Sequence, residues 1–465
     1  MTALAHMNAH SHQPGQAVRR VFMDCTATFA LDANTGIQRV VRNIVNTAAV
    51  VGPKLGISCQ GVVFKPMSGF VGIDRLQSPG AAVSPLEDRA ASLSRIIRSN
   101  LKDWLLATNL LESARSIRQL AGRVKYLALR PARRRSRRAI CCGRGDVLLL
   151  IDSSWDPAFP WDDVCEAQSR GALVGLVVYD LIPVQFPDVV GPRTHALYAR
   201  WWDKARNVAD FVIGISKSVL DDIEAVDRNR RALGAPLATL RSGYFKLGAE
   251  LDGTVNGDKV RDVFAAAFAD GAYPSNTYLM VGMISPRKNH ALALDAFDRL
   301  WAEKADVRLA IAGRYGWDSG GLVERIRRHP QFGKKLFWFE DVRDHELDYC
   351  YRRAAGLITS SYAEGFNLPI VEALSKGCPV LASDLPVHRE VGGAYAAYFP
   401  LGDAEALAAI IGKQRRQELH GVESPKGFHW PDWTHSCRTL LELVIELSSD
   451  SAARYDPDRR LTAAA

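Results

Sequence analysis

Short apolar runs alternate with amphipathic segments along most of this chain. In the second half, HALALDAFDRLWAEK (290–304) and HELDYCYRRA (345–354) have apolar residues at helical spacing. Five apolar runs predict buried strands, namely YLMVGM (278–283), VRLAIAG (307–313), KLFWFE (335–340), GLITSS (356–361) and PVLASD (379–384). Because strands and helices alternate, the pattern predicts right-handed βαβ units and a parallel sheet with helices on both faces.

The first half of the chain shows the same alternation less regularly. It has a predicted helix at GIQRVVRNIVNTAAVV (36–51). Strands are predicted at RVFMD (20–24), ISCQGVVF (57–64), DVLLLID (146–152), ALVGLVVYD (172–180) and FVIGIS (211–216). Two open parallel sheets in one chain indicate an α/β protein with two domains. Ligands then bind in the cleft between the domains, at the carboxyl ends of the strands.

The chain has 465 residues, which is too long for one ordinary core and suits two domains. No apolar run reaches the roughly 18 residues that span a bilayer, and the first twenty residues lack the apolar core of a secretory signal. The predicted parts are a disordered lead (1–19), an amino-terminal domain (20–250) with a basic insertion (91–145), a carboxyl-terminal domain (251–430), a helix that packs back on the first domain (431–447) and a disordered tail (448–465).

The eight cysteines include no C-x-x-C pair, which favours reduced thiols in a cytoplasm over a disulfide framework or a zinc site. The net charge of +8 comes from one segment. Residues 91–145 contain 14 Lys or Arg and 2 acids, or +12, which leaves 45 basic and 49 acidic residues, or −4, elsewhere.

Within this segment, residues 91–138 interleave Ile, Leu, Trp and Tyr with basic residues at roughly helical spacing. Three interpretations are open. A basic amphipathic helix would lie on an anionic membrane surface, and this is the interpretation we favour. A solvated insertion is the second. Nucleic-acid binding is the third, and no reading module accompanies the charge, so no nucleic-acid partner is predicted.

Several sequence blocks carry a family resemblance. They are NTGIQRVVRNIV (34–45), VVYDLIPVQFPD (177–188), FVIGISKSVLDDI (211–223), PRKNHALALDAF (286–297), IAGRYGW (311–317), DHELDYCYRRAAGLITSS (344–361), EGFNLPIVEAL (364–374) and PVLASDLPVHREV (379–391). Together they resemble family 4 glycosyltransferases, in particular the bacterial surface-polysaccharide and mannosyltransferase-like members. The resemblance covers residues 20–445 and implies the GT-B fold, in which two Rossmann-like domains face each other across a cleft.

Two acids, Glu364 and Glu372, stand eight residues apart. Paired acids suggest a glycosidase, but a Gly-Phe-Asn turn and a helix start with Pro369 lie between these two. The resemblance implies instead that Glu364 contacts the donor sugar and Glu372 the donor ribose. Backbone N–H groups at such a helix start suit a diphosphate. The implied donor-binding residues are Gly313, Gly365, Phe366, Asn367, Leu368 and Glu372.

Basic residues follow a strand end in the same half. Lys288 and Arg287 can reach the donor diphosphate from there, and the resemblance implies that they act in catalysis together with Glu364. Many relatives have an Arg directly after the strand glycine, whereas this chain has Met283. Either one diphosphate cation is missing or Arg287 replaces it.

The opposite wall of the cleft belongs to the first half. Gly36 opens a helix and Arg39 lies one turn further, where each could meet a phosphate or the acceptor; a surface ion pair is the alternative for Arg39. Many relatives have a His where this chain has Tyr179 and Asp180. We predict Tyr179 on the phosphate and acceptor side. Asp180 is a predicted catalytic residue that orients the sugar or the acceptor hydroxyl, with a turn cap as its alternative.

The resemblance implies a retaining hexosyltransferase. It would move a hexose from a nucleotide diphosphate sugar to a growing, lipid-linked surface polysaccharide such as an O-antigen, lipopolysaccharide or exopolysaccharide, at the inner face of the cell membrane. A GDP-sugar such as GDP-mannose is favoured, and a UDP-sugar is next. No cofactor or metal is implied, and the only Asp-x-Asp lies in the tail at 456–458. The alternatives are an epimerase or phosphorylase of the same fold, or a non-catalytic sugar-nucleotide-binding protein.

Overall fold

The computed structural model describes residues 18–30, 35–66, 68–77, 140–190, 192–235, 237, 239–251, 259–268, 275–316 and 321–451. The strands in these ranges form two sheets with helices around them. This confirms the predicted α/β class. The basic segment at 91–138 lies outside the described residues, as do residues 1–17 of the lead and 452–465 of the tail.

The first sheet has seven strands among the described residues. They are β1 Arg20–Asp24, β2 Ser58–Lys65, β3 Gly69–Ile73, β4 Asp146–Leu150, β5 Leu173–Val178, β6 Phe211–Gly214 and β7 Arg241–Tyr244. Their spatial order is β3-β2-β1-β4-β5-β6-β7, and all neighbours are parallel except β2 and β3. The two edge strands, β3 and β7, were not among the predicted strands. Edge strands need less apolar sequence, because fewer neighbours cover them.

Helices cover both faces of this sheet. They are α1 Thr26–Ala30, α2 Gly36–Val51, α3 Trp161–Ser169, α4 Ile182–Gln185, α5 Pro187–Val190, α6 Pro192–Val208 and α7 Lys217–Ala232. All five residues of β4 are buried, as its continuous apolar run requires for a central strand with helices above and below.

The second sheet has six strands in the described part of the chain, all parallel and in the order β10-β9-β8-β11-β12-β13. They are β8 Thr277–Val281, β9 Arg308–Ala312, β10 Leu336–Phe339, β11 Gly356–Thr359, β12 Val380–Ser383 and β13 Ala396–Phe399. Its helices are α8 Asp262–Phe268, α9 His290–Ala302, α10 Leu322–Arg327, α11 Asp344–Arg353, α12 Leu368–Ser375, α13 Pro386–Gly392 and α14 Ala404–Arg415.

The strand order reverses direction once in each sheet, between β1 and β4 and between β8 and β11. Loops that leave the carboxyl ends of strands diverge at such a switch point and open a crevice, where ligands bind in open α/β sheets. The loop from β8 to α9 and the loop from β11 to α12 both leave the second sheet at its switch point. The first of these loops carries the predicted catalytic residues Arg287 and Lys288, and the second carries Glu364, Gly365, Phe366 and Asn367.

The last helix, α15 Trp433–Ser451, returns to the first domain. Ser436 Oγ donates to the Lys246 carbonyl (2.7 Å) and Trp433 Nε1 to the Glu250 carbonyl (3.0 Å). Its apolar residues Trp433, Cys437, Leu440, Leu441, Val444 and Leu447 are buried. The helix continues to Ser451, so the tail predicted from residue 448 begins too early. None of the described helices is long and apolar enough to cross a bilayer.

Candidate functional site

The loop between β11 and α12 contains three of the six predicted donor-binding residues, Gly365, Phe366 and Asn367, and α12 itself contains Leu368 and Glu372. Asn367 directly precedes α12 and has φ 76°, a left-handed conformation that Asn tolerates better than most residues. Its Nδ2 donates hydrogen bonds to Thr359 Oγ1 (2.8 Å) and to His388 Nε2 (2.9 Å). Burial lowers the pKa of His388, which favours the neutral imidazole that can accept this bond. These bonds fix the start of α12.

Backbone donors gather where α12 begins. Among the described residues, no group accepts a hydrogen bond from the N–H of Phe366, Asn367 or Leu368. The first N–H groups of a helix lack partners within the helix and carry positive partial charge. The side chains of Phe366 and Leu368 are buried, and the Phe366 ring packs on Trp430 at 5.9 Å. The backbone of these residues is therefore what can meet an anion.

Glu364 is the centre of a buried charged cluster. Its carboxylate contacts Lys288 Nζ (2.6 Å) and Arg287 Nη1 (2.5 Å) and accepts from Ser361 Oγ (2.6 Å). Burial would raise the pKa of Glu364, but the charges of Arg287 and Lys288 lower it below its ordinary value. Arg287 is the second cation of this cluster because it contacts the other carboxylate oxygen, whereas Met283 is 44% exposed. Two cations around one carboxylate leave a formal charge of +1, which attracts anions.

Two glycines make room for this cluster. Gly282 has φ 135°, and a Cβ atom there would lie 3.1 Å from Lys288 Cε. A Cβ on Gly313 would lie 2.0 Å from the Gly282 carbonyl oxygen, so the two backbones touch directly. The N–H of Gly313 donates to the Phe339 carbonyl, and its own carbonyl accepts from Trp338 Nε1. Gly313 thus packs beside the site, and its backbone polar groups are used within the second domain.

Glu372 lies on α12 and is only 2% exposed. Its Oε1 accepts from Arg39 Nη1 (2.5 Å) and its Oε2 from the Tyr351 hydroxyl (2.8 Å). Arg39 Nη2 also donates to Asp344 Oδ1 (2.9 Å). These four residues, the interdomain charge cluster, join α2 of the first domain to α11 and α12 of the second. Glu372 was predicted to bind the donor ribose, and in this structure both of its oxygens have protein partners.

The start of α2 lies against the start of α12. A Cβ on Gly36 would be 3.9 Å from Leu368 Cδ1, so Gly36 lies near the predicted diphosphate position. Arg39, one turn further, is 8% exposed and held by two carboxylates. The role of Arg39 as a phosphate partner stays a prediction. Arg39 does form ion pairs, which was the alternative, but they are buried between the domains and do not lie at the surface. The sequence could not show this arrangement, because both acids come from distant helices of the other domain.

Tyr179 follows β5 at the opposite wall of the cleft. Its side chain is 6% exposed, and its hydroxyl donates to the Ile151 carbonyl (2.8 Å). The side chain of Tyr179 is therefore bonded within the first domain, and its place on the phosphate and acceptor side stays a prediction. Its carbonyl oxygen instead lies against Gly365, where a Cβ atom would be 1.9 Å away. Only glycine permits this approach of the two domains.

Asp180 follows Tyr179 and lies where the two domains meet, beside Gly365. Its Oδ1 accepts from the Ile182 N–H (3.2 Å), which is the turn cap named as the alternative. Burial raises the pKa of Asp180, the positive charge of Arg287 opposes this, and the negative charge of Glu364 adds to it. Asp180 is thus within electrostatic reach of the Glu364 cluster, so the four predicted catalytic residues lie in one region.

Two further contacts across the domains were not predicted. Ser216 Oγ donates to the Gly365 carbonyl (2.7 Å) and caps α7 by accepting from the Val219 N–H. Glu390 on α13 accepts from the N–H groups of Lys217 (2.7 Å) and Ser218 (2.9 Å) at the start of α7. A carboxylate at a helix N-terminus is stabilising. Of these residues only Ser216 had a signal in the sequence, because a Ser directly before a helical pattern predicts a helix cap.

This architecture, two Rossmann-like domains that meet at the carboxyl ends of their strands, is the GT-B fold. A solved structure of sucrose-phosphate synthase from Thermosynechococcus elongatus aligns with 96% of this chain and 100% of its own, at 16% identity and a TM-score of 0.50, which supports the fold. Residues 270–417 match the family described as glycosyl transferases group 1. The resemblance to bacterial surface-polysaccharide glycosyltransferases is confirmed, and the assignment to family 4 stays a prediction.

Curated relatives include several named mannosyltransferases. Serotype-specific mannosyltransferase WbdA of Escherichia coli is 35% identical over 306 residues, which cover 64% of this chain and 37% of that protein. Phosphatidyl-myo-inositol mannosyltransferase of Mycobacterium leprae is 32% identical over 204 residues, which cover 40% of this chain and 51% of that protein. The chain therefore spans between about a third and a half of the length of these relatives.

Proposed function

We propose that this protein is a glycosyltransferase that moves a hexose from a nucleotide diphosphate sugar to a growing surface polysaccharide. The observation that carries this proposal is the meeting of Lys288, Arg287 and the backbone N–H groups at residues 366–368 beside Glu364. The negative charge of a diphosphate leaving group grows as the glycosidic bond breaks. Fixed cations and backbone donors stabilise that charge in the transition state.

In the proposed reaction, the donor diphosphate binds between Lys288 and the start of α12. Glu364 keeps Lys288 and Arg287 in place and accepts hydrogen bonds from hydroxyls of the donor sugar. The acceptor hydroxyl attacks from the face that the diphosphate leaves, and a diphosphate oxygen takes its proton, which retains the anomeric configuration. Asp180 orients the reacting sugar or the acceptor hydroxyl. This route needs no protein base and no metal ion.

The donor and the acceptor are further parts of the proposal. A GDP-sugar, with GDP-mannose first, is favoured over a UDP-sugar because relatives that match the chain carry the name mannosyltransferase. We propose a lipid-linked glycan as the acceptor. A growing polysaccharide on a lipid carrier would bring the enzyme to the inner face of the cell membrane.

A panel of nucleotide sugars tests the donor proposal. We expect GDP-mannose to raise the melting temperature more than UDP-glucose, UDP-N-acetylglucosamine or GDP alone. A donor at 100 times its Kd stabilises the folded state by about 2.7 kcal/mol. The measurement is differential scanning fluorimetry, followed by detection of sugar products. No stabilisation by any nucleotide sugar would contradict the proposal, and an epimerised sugar formed without acceptor would favour the epimerase alternative.

Membrane association through residues 91–138 has a separate test. We expect the full chain to float with vesicles that contain about one-third anionic lipid, and a variant lacking 91–138 to stay in the protein fraction. Each Lys or Arg near an anionic surface contributes about 1 kcal/mol of attraction. Flotation should fall with added salt, because screening weakens this attraction. Equal flotation of both proteins would refute this role of the segment.

A further inference from the structure

An aromatic cluster lies on the first domain, outside the residues assigned above. Trp155, in the loop after β4, stacks on Tyr198 of α6 with ring centroids 5.6 Å apart and an interplanar angle of 28°. Both rings are partly exposed. The rings of Tyr179 and Trp201 meet Trp155 edge-on at 6.5 Å and 5.9 Å. Trp155 and Tyr198 are called the aromatic platform below.

Buried hydrogen bonds fix the loop that carries Trp155. Trp201 Nε1 donates to Ser154 Oγ (3.0 Å), and the Tyr179 hydroxyl donates to the Ile151 carbonyl (2.8 Å). Asp152, which is 1% exposed, accepts from the N–H groups of Ser153 and Thr28. A loop held in this way keeps its aromatic ring in one orientation, so a ligand need not order it on binding.

The platform retains polar groups that the protein does not use. Among the described residues, no group accepts a hydrogen bond from Trp155 Nε1 or from the Tyr198 hydroxyl. Tryptophan and tyrosine combine a large apolar face with one polar group, which suits a ligand that has both kinds of surface. A role in core packing alone would not account for the partial exposure of Trp155 and Tyr198 or for their unused polar groups.

The platform lies next to the proposed reaction centre. Tyr179, whose ring contacts Trp155, places its own carbonyl oxygen against Gly365 in the loop between β11 and α12. Burial raises the pKa of Tyr198, and the negative charge of Asp180 raises it further. Asp180 adjoins the same loop, because a Cβ atom on Gly365 would lie 3.2 Å from Asp180 Cβ. A sugar on the platform would therefore be beside the site where the donor is cleaved.

We propose that Trp155 and Tyr198 form an acceptor subsite that binds a pyranose ring of the acceptor glycan. A pyranose has an apolar face of C–H groups, which packs on aromatic rings, and a rim of hydroxyls, which can accept from Trp155 Nε1 and Tyr198 Oη. This inference rests on the proposed function and specifies its acceptor side. It also explains the Tyr179–Asp180 pair, because Tyr179 positions Trp155 while Asp180 faces the donor site.

Three variants test the subsite. Trp155→Ala and Tyr198→Ala should each raise the KM for a soluble acceptor, octyl α-mannobioside, at least about tenfold. Trp155→Leu keeps apolar bulk but lacks a flat aromatic face, so it should behave like Trp155→Ala if stacking matters. The Kd for GDP-mannose and its slow hydrolysis without acceptor should stay within about twofold of wild type. Binding of the same mannobioside, measured by calorimetry without donor, should weaken in parallel.

The control is Phe332→Ala. Phe332 is 39% exposed and precedes β10 at the amino end of the second sheet, away from the cleft. Phe332→Ala should change neither the KM for the mannobioside nor the KM for the donor. An unchanged acceptor KM in Trp155→Ala and Trp155→Leu, with normal donor hydrolysis, would overturn the subsite and leave the proposed function intact. Failure of wild type to bind the mannobioside would also overturn it, whereas absence of donor binding and hydrolysis would contradict the proposed function itself.

Discussion

Replacing Glu372 with alanine is expected to lower the free energy of unfolding by about 3–5 kcal/mol and to weaken donor binding strongly. The carboxylate is 2% exposed and holds Arg39 at 2.5 Å and the Tyr351 hydroxyl at 2.8 Å. Without the Glu372 carboxylate, the buried guanidinium of Arg39 keeps only Asp344 as a partner within the interdomain charge cluster. The Tyr351 hydroxyl loses its acceptor. The charged contact between the two domains would then rest on the Arg39–Asp344 pair.

Urea unfolding and donor titration measure the two effects, with Glu372→Gln as the variant that removes only the charge. The control is Glu418→Ala, because Glu418 pairs with Arg416 at the surface (51% and 60% exposed) and such pairs contribute at most about 1 kcal/mol. A double-mutant cycle with Arg39→Ala isolates the pairwise term. If Glu372→Ala had the stability of the control and wild-type donor affinity, both the structural and the ribose-binding role would be refuted.

Lys288→Ala should lower kcat by about 10²–10³ while donor affinity falls far less, because the lysine charge matters most when the leaving diphosphate is formed. Lys288 is held 2.6 Å from Glu364, and Gly282 leaves space for its side chain, so no neighbour can replace the charge in the same place. Arg287 would remain on the other carboxylate oxygen.

The measurements are kcat and KM for the donor and its Kd by calorimetry. Lys334→Ala, on the exposed surface, is the matched control and should be unchanged. Lys288→Arg should restore part of kcat if charge is what counts. Equal losses of donor affinity and kcat in Lys288→Ala would show that the lysine binds donor without preference for the transition state.

The predicted strands of the second domain were found nearly where the apolar runs placed them. YLMVGM contains β8 Thr277–Val281 apart from its first residue, and PVLASD contains β12 Val380–Ser383. Such runs are long enough for a central strand and are bounded by turn residues. The edge strands β3 and β7 were missed, because their sequences GFVGI and RSGY contain glycine and polar residues.

The loop between β11 and α12, which we propose binds the donor, could be predicted because its residues are neighbours in the sequence. Glu364, Gly365 and the start of α12 are consecutive, and Lys288 lies in a block with its own sequence signature. Tyr179 shows the opposite case. A tyrosine at a strand end can face either the cleft or the core, and the Ile151 carbonyl that determines the choice belongs to a neighbouring strand end.

The sequence by itself determined the two parallel sheets, the family resemblance and the loop that holds Glu364, because these follow from periodicity and from short contiguous blocks. Only the tertiary structure decided which side chains the two domains share. Arg39 and Glu372 are 333 positions apart, and Ser216 and Gly365 are 149 apart. Such pairs form because the domains dock at the carboxyl edges of both sheets, and no local pattern records which buried charge will meet which partner there.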